Sequence, residues 1–186
     1  SPEFLEAVIM TESSGSGYQD GKLIIRFEAH YFNRLTSHKY SGHFSYNTKK
    51  PWTEQKFREN ICGEQWEWIH PTKNQQKQEY RVFDYARRLN EEMAYRSISM
   101  GLGQIMGENY QLLDYNSAKE MYDAFSKSED EQIKGIIKFI KAKPNAYNAL
   151  KQEDFGEFVK YYNGPGKVAE YTKKFENNLE IINSRK

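Results

Sequence analysis

A chain of 186 residues is one domain by length, and 38% hydrophobic with 15% aromatic residues is enough to bury a core without disulfide staples. Its 27 Lys and Arg stand against 26 Asp and Glu, so at a net charge of +1 no global field draws it to nucleic acid or to an anionic membrane. A mean hydropathy of −0.93 without any long apolar run excludes a transmembrane helix. The single cysteine, Cys62, excludes an internal disulfide and a cysteine-based zinc site.

Ser1-Pro2-Glu3-Phe4 reads as vector-derived, and an apolar helix is expected directly after it, at 5–10. That helix runs out in Thr11-Glu12-Ser13-Ser14-Gly15-Ser16-Gly17, a helix-stop signal. Asp20-Gly21 is a hairpin turn pair, and 23–27 is β-branched enough for a strand. Residues 28–35 return to a helical pattern. From about 37 to 78 the chain is polar, holds Trp52, Trp66 and Trp68, and has no clean period. It is expected to be a long irregular insertion, which in a compact domain is usually functional or mobile.

Helices are expected in the remainder. Val82, Phe83, Ala86, Leu89 and Met93 form one stripe. Ser117 with Glu120, and Ser128 with Glu131, are capping boxes. The second opens a helix whose face is Ile133, Ile136, Ile137 and Ile140, stopping before Pro144. Asp154 with Glu157 opens another, carrying Phe155, Phe158, Val159 and Tyr162, which Asn163-Gly164-Pro165-Gly166 breaks. A last helix shows Val168, Tyr171, Phe175, Leu179 and Ile182. The fold class is therefore mostly α, with a small β-hairpin near the N-terminus.

Glu12 stands out by its place at the end of an apolar helix. Partial desolvation by Val8 and Ile9, and the negative end of the helix dipole, would both raise a carboxyl pKa, as a general acid at neutral pH requires. The same residue also reads as a solvated glutamate at a fraying helix end. Glu28 ends the expected strand, where a hairpin folding back could bring two carboxylates to one cleft, the equipment of glycoside hydrolysis. Its alternative is a surface ion pair with Arg26 or His30. The glycines of 101–107 surround Gln104, but no Gly-Lys-Ser/Thr follows, and a tight turn between helices explains them equally well. Tyr161, Tyr162 and Asn163 sit at a helix end and read as a site or as a tyrosine-rich core edge. The tryptophans are sugar-stacking platforms or a satellite aromatic cluster.

Glu12-Ser13, then Gly101-Leu102-Gly103-Gln104-Ile105-Met106, then Tyr162-Asn163-Gly164 resemble, in that order, three signature segments of the goose-type lysozyme and lytic transglycosylase superfamily. More closely, residues 12–17, Phe27-Glu28 with His30, Arg96-Ser97 with Ser99 before 101–107, and residues 162–166 are similar to the N-acetylmuramidase family found in phage endolysins and some interbacterial toxins. The resemblance runs from about 5 to 179, and Met100 stands where a tryptophan is common.

This resemblance implies a lysozyme-like fold, with 5–186 as one catalytic domain that cleaves the β-1,4 bond between N-acetylmuramic acid and N-acetylglucosamine. Glu12 would be the general acid and Glu28 the second carboxylate, activating water or stabilising oxocarbenium-like charge. Ser13, Gln104, Ile105, Tyr162 and Asn163 would bind substrate, with Tyr162 holding a sugar or orienting Glu12. No metal or organic cofactor is implied. The partner would be bacterial peptidoglycan, joined by an immunity protein if the chain is a toxin, with no nucleic acid and no membrane. A monomer acting in the periplasm or on the cell wall after export is expected. A lytic transglycosylase that closes an anhydro ring, and a non-catalytic peptidoglycan-binding module, remain open alternatives.

Overall fold

A computed structural model describes residues 1–12, 16–63, 65–73, 75–162 and 168–185. The first helix, α1 (Pro2–Glu12), opens three residues earlier than its apolar pattern suggests. Proline suits a first helical position, where its missing N–H has no partner to lose, and Ser1 Oγ accepts the Phe4 N–H at 3.3 Å. Phe4 is thereby 6% exposed and packs edge-on against Phe175 of α9 (Val168–Asn183), ring centroids 5.0 Å apart. At the other end of α1, Lys174 Nζ donates to the Thr11 carbonyl at 2.7 Å and Asn178 Nδ2 to Thr11 Oγ1 at 3.0 Å. A cation on the last carbonyls complements the helix dipole. The helix that carries Glu12 is held by α9 at both ends.

Asp20 and Gly21, at φ 52° and 72°, join β1 (Tyr18–Gln19) to β2 (Lys22–Leu23), the left-handed pair that a tight hairpin needs. The single strand expected at 23–27 is two. After β2, β3 (Ile25–Phe27) leaves the hairpin and pairs antiparallel with β7 (Ile98–Met100), which pairs with β8 (Ile105–Met106). The glycine segment is thus a hairpin of this sheet followed by a 3-10 helix (Gly107–Leu113), not a turn between helices. Alternation puts Ile25, Phe27, Ile98, Met100 and Ile105 in the core and Arg26, Ser99 and Met106 on the opposite face. The free edge of β3 is closed by α3 (Gln75–Leu89). The Gln76 amide exchanges hydrogen bonds of 3.0 and 2.9 Å with the Ile25 backbone, and Glu79 Oε2 accepts the Phe27 N–H at 2.8 Å.

Gly107 is where the second hairpin meets the helices. A Cβ there would lie 2.0 Å from the Tyr95 carbonyl oxygen, a backbone atom that cannot swing aside. Gly107→Ala should therefore cost about 1–3 kcal/mol, read as a fall in the thermal midpoint, and an unchanged midpoint would contradict this packing.

The 37–78 segment differs most from its sequence reading. It holds an antiparallel sheet of β4 (Phe44–Ser45), β5 (Lys56–Phe57) and β6 (Glu67–Trp68), and α3 starts within its last residues. Strands of two residues leave no period to detect. The sheet is anchored by aromatics: Phe44 lies 5.7 Å from Phe27 and 5.3 Å from Phe32 between ring centroids, and Phe57 is fully buried.

Helix α2 (Ala29–Leu35) follows β3 as expected. The stripe from Val82 to Met93 belongs to two helices, because Asn90 ends α3 and caps α4 (Glu91–Arg96), accepting the Met93 N–H at 3.1 Å. Ser117 and Ser128 cap α5 (Ala118–Lys127) and α6 (Glu129–Lys141) as their spacing predicts. Pro144, expected only as a stop, is the first residue of α7 (Pro144–Lys151), and Asp154 Oδ1 caps α8 (Phe155–Tyr162) at 3.0 Å. Among the described residues no helix is long and apolar enough to cross a membrane.

Candidate active site

Glu12 is the last residue of α1 and half-buried. Its charge reaches two phenols and one ammonium. Burial, helped by the Glu12 charge, pushes the hydroxyls of Tyr162 in α8 and Tyr171 in α9 above the ordinary tyrosine range. Burial pulls Lys143 below the ordinary lysine range, with Glu12 opposing that shift. Lys143 Nζ lies 4.4 Å from the Phe139 ring centroid and 5.0 Å from that of Tyr162. Tyr162 stacks on Phe158 at 5.0 Å and meets Phe139 edge-on at 5.8 Å. Its hydroxyl is buried without a hydrogen-bond partner among the described residues. A phenol held this firmly beside a carboxylate can orient the acid or donate to a bound sugar. Lys143 carried no signal in the sequence, and Tyr171 showed there only as part of the apolar face of the last helix.

Glu28 occupies the N-cap position of α2 but does not cap it. Its carboxylate is buried, with Oε1 accepting from Arg26 Nε at 2.9 Å and Oε2 from Gln55 Nε2 at 2.7 Å. The ion pair with Arg26 is formed, with the carboxylate buried and the guanidinium reaching the surface. Gln55 comes from the insertion and is 1% exposed. Its Oε1 takes the Ala29 N–H at 2.6 Å, which fixes the amide so that Nε2 faces both Glu28 and His70 Nε2, the latter at 3.2 Å. His70 Nδ1 lies 2.6 Å from Glu79 Oε1. With an amide donor at one ring nitrogen and a carboxylate at the other, the neutral tautomer protonated at Nδ1 satisfies both. Glu28 thus ends a buried chain through Gln55 and His70 to Glu79. None of those three partners was legible, because each lies in the segment without a period or on a helix face where the sequence shows only a polar letter.

His30 sits beside this chain, its Nδ1 3.4 Å from Glu28 Oε2. Burial holds its pKa below the ordinary 6.5, assisted by Arg34 and Arg26 and opposed by Glu28 and Gln55. The folded protein therefore takes this proton less readily than the unfolded chain. The stability so conferred is present above pH 6.5 and is lost as the pH falls through the histidine range. Thermal midpoints measured from pH 7.5 to 5 should fall, and His30→Asn should flatten that slope. An unaltered slope would remove His30 from the account.

Gln104 adopts a left-handed backbone at φ 43°, rare for a residue with a side chain. Its amide donates to the Gly101 carbonyl at 2.8 Å and accepts from Ser99 Oγ at 3.0 Å. Ser99 lies directly across from Arg26 in the β3–β7 register, so a polar line runs from Glu28 through Arg26 and Ser99 to Gln104. Gln104, Arg26 and Gln76 line one groove with Ser16, four residues beyond Glu12. The groove's floor is pinned from below by Gln132 of α6, fully buried, which accepts the Leu102 N–H at 2.8 Å and donates to the Phe125 carbonyl at 2.9 Å. A Cβ at Gly101, where φ is +69°, would lie 2.6 Å from Gln132 Oε1. The isoleucine stripe of α6 hid this amide.

Ile105 turns its side chain into the core at 2% exposure, so it holds the hairpin and offers a ligand no side-chain contact. Ser13 and Asn163 lie outside the described residues. Cys62 is exposed and free, and among the described residues no group of three or more His, Cys, Asp or Glu converges as a metal would need.

Helices gathered around a small sheet, with an acid at the end of the first helix, make a mostly α, lysozyme-like fold. The crystal structure of the Burkholderia AP3 phage endolysin superposes with a TM-score of 0.75 at 24% sequence identity, covering 100% of this chain and 65% of that one. This chain therefore spans under two thirds of that endolysin. The chain belongs to the N-acetylmuramidase family, whose model matches residues 1–183. No curated protein sequence matches it.

Proposed function

We propose that this chain is a peptidoglycan hydrolase that cuts the β-1,4 bond between N-acetylmuramic acid and N-acetylglucosamine. The observation that carries the reading is the setting of Glu12, at the end of a helix clamped by α9 and beside a buried Tyr162 hydroxyl that has no hydrogen-bond partner among the described residues, in an N-acetylmuramidase chain. Glu12 protonates the leaving glycosidic oxygen, and Tyr162 orients it. Glu28, with both oxygens held by donors, activates water or stabilises the oxocarbenium-like charge. Gln104, Asn163, Ser13 and the backbone at Ile105 hold acetamido or hydroxyl groups of the glycan. The chemistry requires no metal or organic cofactor. The substrate is bacterial peptidoglycan, met on the cell wall or in the periplasm after export.

Mass spectrometry of the products from purified peptidoglycan tests this directly. Hydrolysis at the stated bond leaves a reducing muramic acid. A muramic acid lacking one water would make the protein a lytic transglycosylase, a reducing N-acetylglucosamine would move the cut to the other bond, and no product would leave only a binding module.

A further inference from the structure

The function proposed above uses nothing of the outer face of the β4–β5–β6 sheet, yet that face is chemically distinctive. Antiparallel register sets Lys56 against Trp68, and continuing it sets Arg58 against Trp66. Lys56 Nζ lies 4.3 Å from the Trp68 ring centroid, and the Arg58 guanidinium 4.4 Å from that of Trp66. Both indoles remain open to solvent, Trp66 at 38% and Trp68 at 50% exposure. They wall a groove of about 530 Å³ whose far side is formed by Lys73, Lys77 and Arg81.

Two acids of this segment are already engaged: Glu67 and Glu59 pair with Arg81 at 2.6 and 3.2 Å, and Glu59 also with Arg88 at 3.1 Å. Lys56, Arg58, Lys73 and Lys77 form no ion pair among the described residues. In a chain of net charge +1, four cations without an ion pair among the described residues, gathered around two exposed indoles, are a local feature rather than a general excess. Large apolar side chains left in water within a charged rim mark an interaction surface. The ligand that fits must offer flat faces to the indoles and carboxylates to the cations. A pyranose presents an apolar C–H face suited to stacking on an aromatic ring, and the peptides carried by muramic acid supply free carboxylates.

We propose that this face is a second binding surface for peptidoglycan, built from the insertion and sharing no residue with the Glu12 or Gln104 surroundings. It takes amino-sugar rings on Trp66 and Trp68 and stem-peptide carboxylates on Lys56, Arg58, Lys73 and Lys77. This rests on the reading of the chain as a peptidoglycan hydrolase, and under it the insertion holds the wall while the cleft cuts.

The test is co-sedimentation with purified sacculi, performed in a Glu12→Gln background so that the wall is not consumed. Trp66→Ala/Trp68→Ala should weaken binding roughly tenfold or more, about 1.4 kcal/mol or above. Lys56→Gln/Arg58→Gln should weaken it too and flatten its dependence on salt. Trp52→Ala, an indole at 60% exposure outside the groove, is the comparison and should bind like its parent. Equal binding by parent and double-tryptophan variant would overturn the proposal, as would an equal loss in Trp52→Ala. A loss confined to a single-stranded DNA oligonucleotide, with sacculus binding intact, would assign the face to nucleic acid and overturn it as well. If the double-tryptophan variant does not fold, unchanged binding and salt dependence in the charge variant overturns it alone. Wild-type protein that binds sacculi through this face but releases no products would instead refute the hydrolase reading and leave the surface standing.

Discussion

Glu12→Gln should lower the rate of wall lysis by roughly 10²–10⁴, the worth of a positioned general acid. The substitution removes the transferable proton while keeping size and shape. Its structural cost should be small, because α1 is fastened through Phe4 and Thr11. Turbidity loss of a cell-wall suspension gives the rate, and a thermal melt shows that the fold is intact. Lysis within a few-fold of wild type by a folded Glu12→Gln protein would end the proposed mechanism. The phenols sharpen this expectation: Tyr162 and Tyr171 are shifted in part by the Glu12 charge, so the variant should bring both closer to the ordinary tyrosine range.

Glu28→Gln should reduce turnover by a similar order, ~10²–10⁴, and unlike Glu12→Gln it should also cost stability. Both Glu28 oxygens accept from donors, Arg26 Nε and Gln55 Nε2. A glutamine can offer an oxygen to only one, so its NH2 must confront the other, leaving a buried donor unmet at about 1–3 kcal/mol. Steady-state rates taken well below the lowered midpoint separate the two effects. A folded Glu28→Gln protein with wild-type turnover would reduce Glu28 to an internal ion pair that holds β3 and α2 in place.

What the sequence revealed and what it hid divide along physical lines. Local signals were legible: Ser117, Ser128 and Asp154 as caps, Asp20-Gly21 as a hairpin, and Glu12 at the exit of an apolar helix all depend on neighbours within four positions. The order of Glu12, the 101–107 segment and Tyr162 likewise pointed to the family, because motif order survives where helix boundaries blur. Partnerships across long separations were not legible. Asn90 splits a stripe whose apolar spacing continues unbroken, and only its side-chain cap betrays the break. Ile98 to Met100 alternates with Ser97 and Ser99, a period-two pattern too short to distinguish from the end of a helix. Gln55, His70, Glu79 and Gln132 look like surface residues one letter at a time, and become an interior framework only when partners 7 to 52 positions away are known.

The grip of α9 on α1 also bears on when the protein acquires its acid. The ties from Lys174 and Asn178 to Thr11 close separations of 163 and 167 residues. Contacts of that span are the last to form in an ordinary folding sequence, since the loop entropy of the whole chain is spent before they return anything. The helix bearing Glu12 precedes α9 in the chain and waits for it before it is seated. A chain still emerging from the ribosome has no α9 to brace Thr11, so Glu12 has no fixed place in it. The carboxyl group is therefore positioned only after the helix that braces it has formed and docked.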